Sequence, residues 1–194
     1  MPEPEERLPA PRAEEMTTEQ RLAVDRISAG PRGALVGPFG PLLHSPELMT
    51  CVQQTGEFLR FQSTLDRRLF EMTVLLVARH WNQQFEWAFH EPLAREAGLA
   101  GTVVDAIAAA RRPSDMDDAA AAVWDLVHDL HSSREVTDEH YAAAVAMVGE
   151  RGVIEVVAGV GYYTTLAMVM NVARTPPPED GPRLSDLDVG PAVD

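Results

Sequence analysis

Apolar side chains recur every three or four residues along this chain, and proline, glycine and short polar residues cut that pattern into pieces of helical length. Thr17 or Thr18 is placed to cap a first helix that runs to Ile27. The stretch 29–43 holds Gly30, Pro31, Gly33, Gly37, Pro38, Gly40 and Pro41, which predicts a loop. His44-Ser45-Pro46-Glu47 reads as a helix start, with Ser45 at the N-cap and Pro46 at the first helical position. That helix carries Leu48, Val52, Phe58 and Leu59. Ser63 or Thr64 opens the next, with Asp66 in its first turn, where the helix dipole favours negative charge. Its apolar face is Leu65, Leu69, Met72, Leu75, Leu76 and Val77.

Asn82 is expected to cap a further helix to about His90, with Pro92 breaking or restarting it and Gly98 ending the short piece that follows. Helices are also expected over 103–110 and 117–132, and from a Thr137 cap to about Val148, after which Gly152 leads into the most apolar segment, 153–173. Glu155, Gly159, Gly161, Tyr162, Tyr163, Thr164, Thr165 and Asn171 make that segment a buried core helix rather than a membrane span. No stretch alternates with period two, so the fold class is all-α. Residues 1–16 and 175–194 are rich in Pro, Glu, Asp and Arg. They read as tails, mobile or ordered on a neighbouring subunit, around one domain at 17–174.

Charge narrows the function. Sixteen basic side chains face 30 acidic ones in 194 residues, a net charge of −14, which argues against nucleic acid and anionic membrane as partners. The acidic N-terminus has no apolar stretch like that of a signal peptide, so the expected location is cytoplasmic. Every basic residue is arginine, so neither a Schiff-base lysine nor a P-loop lysine is available. Cys51 is the single cysteine, which excludes a CxxC redox pair and a thiolate zinc site.

Candidate chemistry concentrates in 71–90. Arg79, Gln83, Glu86 and His90 stand in a strongly apolar window at offsets 0, 4, 7 and 11, one stripe of a continuous helix. Buried ionisable groups require partners, so the stripe is either wet or mutually hydrogen-bonded. A carboxylate one turn from an imidazole raises its pKa and fixes its tautomer, as general acid/base work requires. Trp81, Phe85, Trp87 and Phe89 would supply walls of low polarity. The competing explanation is a core ion pair of Glu86 with His90 or Arg79.

Other candidates weigh less. His80 points about 100° away from Arg79, which suits an outward or interface role as well as a catalytic one. His44 beside a cap is structural, and solvated faces account for His128, His131 and His140. Tyr162 and Tyr163 could reach a pocket, though ordinary core packing explains them. Glu155 opens the apolar helix, where the dipole favours it. A metal site wants two or three converging ligands, and Glu86 with His90 offers one pair, so no metal is expected.

The HSPEL run at 44–48, Glu71 with the LLVAR run at 75–79, the EWxxH element at 86–90 and the Ala94, Ala97-Gly98-Leu99 exit resemble the carboxymuconolactone decarboxylase family, which includes the alkylhydroperoxidase-D-like proteins. Gly161-Tyr162-Tyr163 and Asn171 extend the resemblance over about residues 20–174. It implies an all-helical bundle and a homo-oligomer (dimer, trimer or hexamer), with the pocket at or near a subunit contact. The peroxidase branch of that family uses a glutamate, a CxxC pair and a histidine. The glutamate falls here on Glu71, the histidine on His90, and the two cysteines on Gln83 and Glu86. With both sulfurs missing, a dithiol cycle has no reagents.

What remains resembles the cysteine-free decarboxylase side, which implies a lyase that needs no cofactor and acts on a small organic acid, a lactone or keto acid. His90 is then the expected proton donor, oriented by Glu86, with Glu71 a second acid/base group or structural partner. Arg79 would pair with a substrate carboxylate, and Gln83, Trp87, His80 and Tyr162 complete the expected substrate contacts. The rivals are a peroxidase-branch antioxidant protein working through Cys51, a ligand-binding oligomer without chemistry, and an isomerase or cyclase on the same site.

Overall fold

The computed structural model describes residues 5–185. They form eight helices: α1 (Thr18–Ala29), α2 (Phe39–Leu42), α3 (Pro46–Phe61), α4 (Arg67–His80), α5 (Gln84–Glu96), α6 (Gly101–Ala108), α7 (Asp118–Ser132) and α8 (Asp138–Ala173). No strand occurs among the described residues, as the missing period-two pattern requires. Short polar side chains start the helices. Thr17 and Gln20 close a capping box on α1, while Asp66, Asp117 and Thr137 cap α4, α7 and α8. Pro46 opens α3 as expected, but Ser45 makes no side-chain cap bond.

Four local expectations are corrected. The loop 29–43 winds one turn of helix, α2, around Pro41. Helix α5 continues through Pro92 to Glu96, giving up only the hydrogen bond that a proline nitrogen cannot donate. Asn82 does not cap α5. It takes a left-handed conformation, φ 48°, between the two helices, and the Gln83 side chain does the capping. Helix α8 includes the segment from Asp138 but kinks at Gly149, where φ is 71° and ψ 169°, a backbone state that suits glycine.

Helix α4 is buried on nearly every side: every residue from Leu69 to Leu75 is inaccessible, as are Val77, Ala78 and Arg79, and the helix packs against α5, α6, α7 and α8. The apolar length of α8 would suit a membrane span, yet 56% of its most apolar window is buried in the protein. Glu155 does not open that helix. It lies beyond the kink, where its carboxylate accepts from Ser63 Oγ (2.7 Å), Thr64 N (2.9 Å) and Arg151 Nε (2.8 Å), tying the α3–α4 loop to α8. Burial opposes its charge, but these donors win and hold its pKa down at about 2.

The described parts of both expected tails are tied to the helices. Arg7 N donates to the carbonyl of Ala173 (2.7 Å), and His44 Nε2 to that of Pro9 (2.9 Å). At the other end Leu184 is buried, and its backbone exchanges two hydrogen bonds with the Gln84 side chain. Residues 1–4 and 186–194, which the tail expectation also covers, lie outside the described residues.

Candidate functional site

Helices α4 and α5 form a hairpin that brings Glu71 and His90 face to face although 19 residues separate them. His90 Nδ1 lies 2.6 Å from Glu71 Oε2, and Arg67 reaches the other oxygen at 2.6 Å. On the far side of the ring, Nε2 stands 3.5 Å from Glu86 Oε2, one turn earlier on α5. All three side chains are buried, Glu71 completely. Phe89 and Tyr163 meet the imidazole edge to face, with centroids 5.2 and 5.1 Å away, which fixes the ring plane.

Burial sorts the protons. It works against the charge of Glu71, but the His90 hydrogen bond and the charges of His90, Arg67 and Arg60 keep that carboxyl below its usual range. Burial also pushes His90 down, more strongly than Glu71 pulls it up, and Arg60 and Arg67 add to the fall. Glu86 goes the other way: burial lifts it to about 8, against the pull of Arg60 and Arg32 and with the help of Glu71. At neutral pH the line therefore reads as an ionised Glu71, a neutral His90 donating from Nδ1, and a protonated Glu86 beside the bare Nε2. It is Glu71, across the hairpin, that orients His90, and not Glu86.

This line ends in a cavity of about 280 Å³. Phe39, Phe61, Phe85, Phe89 and Tyr163 supply aromatic walls, and Glu86 and His90 its reactive edge. Two guanidinium groups also line it: Arg32, from the loop before α2, and Arg60, from the end of α3. Arg32 Nε and Nη2, Arg60 Nε and Glu86 Oε1 are buried without a hydrogen-bond partner. No carboxylate approaches either guanidinium within ion-pair distance among the described residues. Arg32 lies over the Phe39 ring, and Arg60 over Phe61 and Phe89.

Of the expected residues, Glu71, Glu86 and His90 converge and Phe85, Phe89 and Tyr163 line the cavity, whereas Arg79, His80, Trp81, Gln83, Trp87 and Tyr162 do not. Arg79 turns away to bind the carbonyls of Ala108 (3.2 Å) and Ser185 (2.9 Å) and the Asn82 side chain (3.0 Å). The left-handed turn at Asn82 ends α4, so the offsets from Arg79 to His90 do not continue along one helix face. Gln83 accepts from the backbone N–H groups of Phe85 and Glu86 and donates to Asn171, which makes it the clamp that sets the start of α5. Trp87 is a core side chain.

His80 stacks on His131, with centroids 4.1 Å apart, and both line a second cavity with Arg79, Trp124 and His128. His131 is thus no solvated-face residue: burial pushes its pKa down to about 4. Tyr162 buries its hydroxyl beside Arg32 and against Gly56, where any Cβ would collide with it, while Tyr163 reaches the cavity. Burial raises the Tyr162 phenol to about 12. Among the described residues no group of three His, Cys, Asp or Glu side chains is placed to hold a metal ion.

The chain superposes on an alkylhydroperoxidase AhpD core, an uncharacterized peroxidase-related protein from Ralstonia eutropha, with TM-score 0.73 and 17% identity over 91% of this chain and 94% of that one. A protein of unknown function from Agrobacterium tumefaciens, described as a candidate antioxidant defence protein AhpD, matches at TM-score 0.65 and 15% identity over 75% of this chain and all of its own. The fold is that of the alkylhydroperoxidase-D-like proteins. No protein-family model and no curated protein matches the sequence. The single thiol, Cys51, is exposed on α3 in a groove beside α8 and is not part of the cavity at His90.

Proposed function

We propose that the chain is a cofactor-independent acid/base lyase that removes CO2 from a small lactone or keto acid, with Glu86 delivering the proton. The observation that carries this reading is the line from Glu71 through His90 to Glu86, which ends on a neutral carboxylic acid inside an aromatic cavity. Breaking the bond to the carboxylate releases CO2 and leaves an electron pair that a neighbouring carbonyl can accept as an enolate. Glu86 then gives its proton to carbon, and the proton it lost returns from solvent past His90 Nε2. His90, whose Nδ1 proton is committed to Glu71, has no proton on the side facing Glu86, so it serves as relay rather than first donor. The cavity's 280 Å³ volume suits a substrate of one ring or a short chain.

One structural neighbour is described as peroxidase-related and the other as a candidate antioxidant defence protein, but a dithiol cycle needs a second thiol that this sequence lacks. The same reading has the enzyme cytoplasmic and self-associating as a dimer, trimer or hexamer. Ile154, Val157, Met168 and Val172, exposed along one side of α8, support an apolar contact of that kind. The test is CO2 release from a panel of carboxylated lactones and β-keto acids by the wild type, Glu86→Gln and His90→Ala. Release that falls at least about a hundredfold in Glu86→Gln supports the reading. Equal release from wild type and Glu86→Gln removes Glu86 from the chemistry, and substrate consumed without CO2 points to isomerisation.

A further inference from the structure

Arg32 and Arg60 are the feature that the acid/base line leaves unexplained. The chain carries a net charge of −14, and its other described interior or half-buried arginines find carboxylates or carbonyls: Arg68 meets Asp117 and Arg79 binds two carbonyls, while the exposed Arg67 reaches Glu71. Arg32 and Arg60 instead turn toward the cavity and leave buried N–H groups unmatched. Such donors cost free energy in the empty site and return it when an anion arrives. Their positions are built rather than accidental. Arg32 lies between the Phe39 ring and the Tyr162 hydroxyl, over a glycine at 56 that leaves the room, and Arg60 is held over Phe61 and Phe89.

Glu86 faces the same space with an unmatched oxygen. We propose that Arg32 and Arg60 form a carboxylate-binding subsite whose occupant sits against the Glu86 carboxyl, so that taking up an anion and holding a proton on Glu86 are one coupled event. Charged and titratable groups surround Glu86: Arg32 from the loop before α2, Arg60 from α3, Glu71 from α4, His90 from α5, and Tyr162 and Tyr163 from α8. Arg67, also on α4, acts on Glu71 and His90. Only the two cavity arginines favour the ionised form of Glu86. A bound carboxylate cancels that pull and adds its own repulsion, so the acid form gains. By linkage, a proton on Glu86 must equally tighten the anion. The substrate would thereby keep the acid that later protonates it loaded at pH values where the empty enzyme begins to lose that proton.

This inference rests on reading the cavity as the substrate site, but its test needs no turnover. The probe is benzoate, a flat carboxylate that matches the aromatic walls and has no group to lose under these conditions. Titration calorimetry of the full chain in buffers of different ionisation enthalpy gives both affinity and protons exchanged. Wild type is expected to take up as much as about half a proton per benzoate near pH 8, where free Glu86 is about half ionised. Glu86→Gln should still bind benzoate but exchange no proton. Arg60→Gln and Arg32→Gln should each weaken binding about tenfold or more while keeping the wild-type helical content. Benzoate that fails to bind, binds without proton uptake, or shows uptake in Glu86→Gln overturns the proposal. If CO2 release fails while the coupled uptake is found, the lyase reading falls and the subsite stands. If release depends on Glu86 while binding ignores both arginines, the reverse holds.

Discussion

His90 and Glu71 are joined by a 2.6 Å hydrogen bond between α5 and α4, and neither side chain is accessible to solvent beyond a few per cent. The bond does two jobs. It pairs a buried carboxylate that would otherwise be costly, and it commits the Nδ1 proton of His90 so that Nε2 faces Glu86 bare. Glu71→Gln keeps the shape but removes the charge that selects this tautomer. We expect it to lose at least about tenfold in turnover. Glu71→Ala should lose about 3–5 kcal/mol of stability, because it strands His90 and Arg67. Urea unfolding followed by circular dichroism separates the two effects.

Glu86 makes stability depend on pH in a particular direction. Its folded-state pKa, about 8, lies above its ordinary value of 4.5, so its contribution is fully present below 4.5 and is lost as pH rises through 8. Glu86→Gln cannot ionise. Its stability relative to wild type should therefore improve steadily from pH 4.5 to 8, as read from paired denaturation curves across that window.

The stack of His80 on His131 gives the opposite slope on the acid side. Both folded-state pKa values lie below the ordinary 6.5 chiefly because of burial, with His131 at about 4. Stability from this pair is complete above 6.5 and is lost as pH falls toward 4, because the unfolded chain binds protons that the stack excludes. His131→Leu should flatten the melting temperature over that range, whereas wild type should fall.

Arg79 separates what the sequence pattern suggests from what the fold does. Read as a substrate ligand, its loss would raise KM sharply. Read as the bridge between Ala108, Ser185 and Asn82, its loss costs stability and leaves the cavity intact. Arg79→Ala is expected to lose about 2–3 kcal/mol and to bind benzoate as wild type does. A calorimetric titration beside a melting curve decides it.

How much of this is legible in the sequence follows from chain geometry. The helical punctuation is local, so caps at Thr17 and Thr137 and the apolar run of α8 can be read from residues within a turn of each other. Glu86 and His90 share one face of one helix and are equally visible. Glu71 comes from family resemblance, since no periodicity links positions 19 apart across a turn. The stripe that includes Arg79 fails on one residue: Asn82 adopts φ 48°, which stops α4 and re-aims everything after it. Arg32 and Arg60 escape a sequence reading because they sit in a glycine-rich loop and at a helix end, where nothing local marks a guanidinium as inward-facing. Only packing against Phe39, Phe61 and Phe89 brings them to the acid. A signal is present: arginines close to aromatic residues in a chain with so strong an acidic excess.

A proton held on buried Glu86 at neutral pH can be read directly by infrared spectroscopy. Wild type is expected to show a carbonyl band of an un-ionised carboxylic acid at about pH 7 that titrates away with a midpoint near 8 and is missing from Glu86→Gln. A wild-type spectrum at neutral pH with no such band, or one that Glu86→Gln retains, would contradict a protonated Glu86.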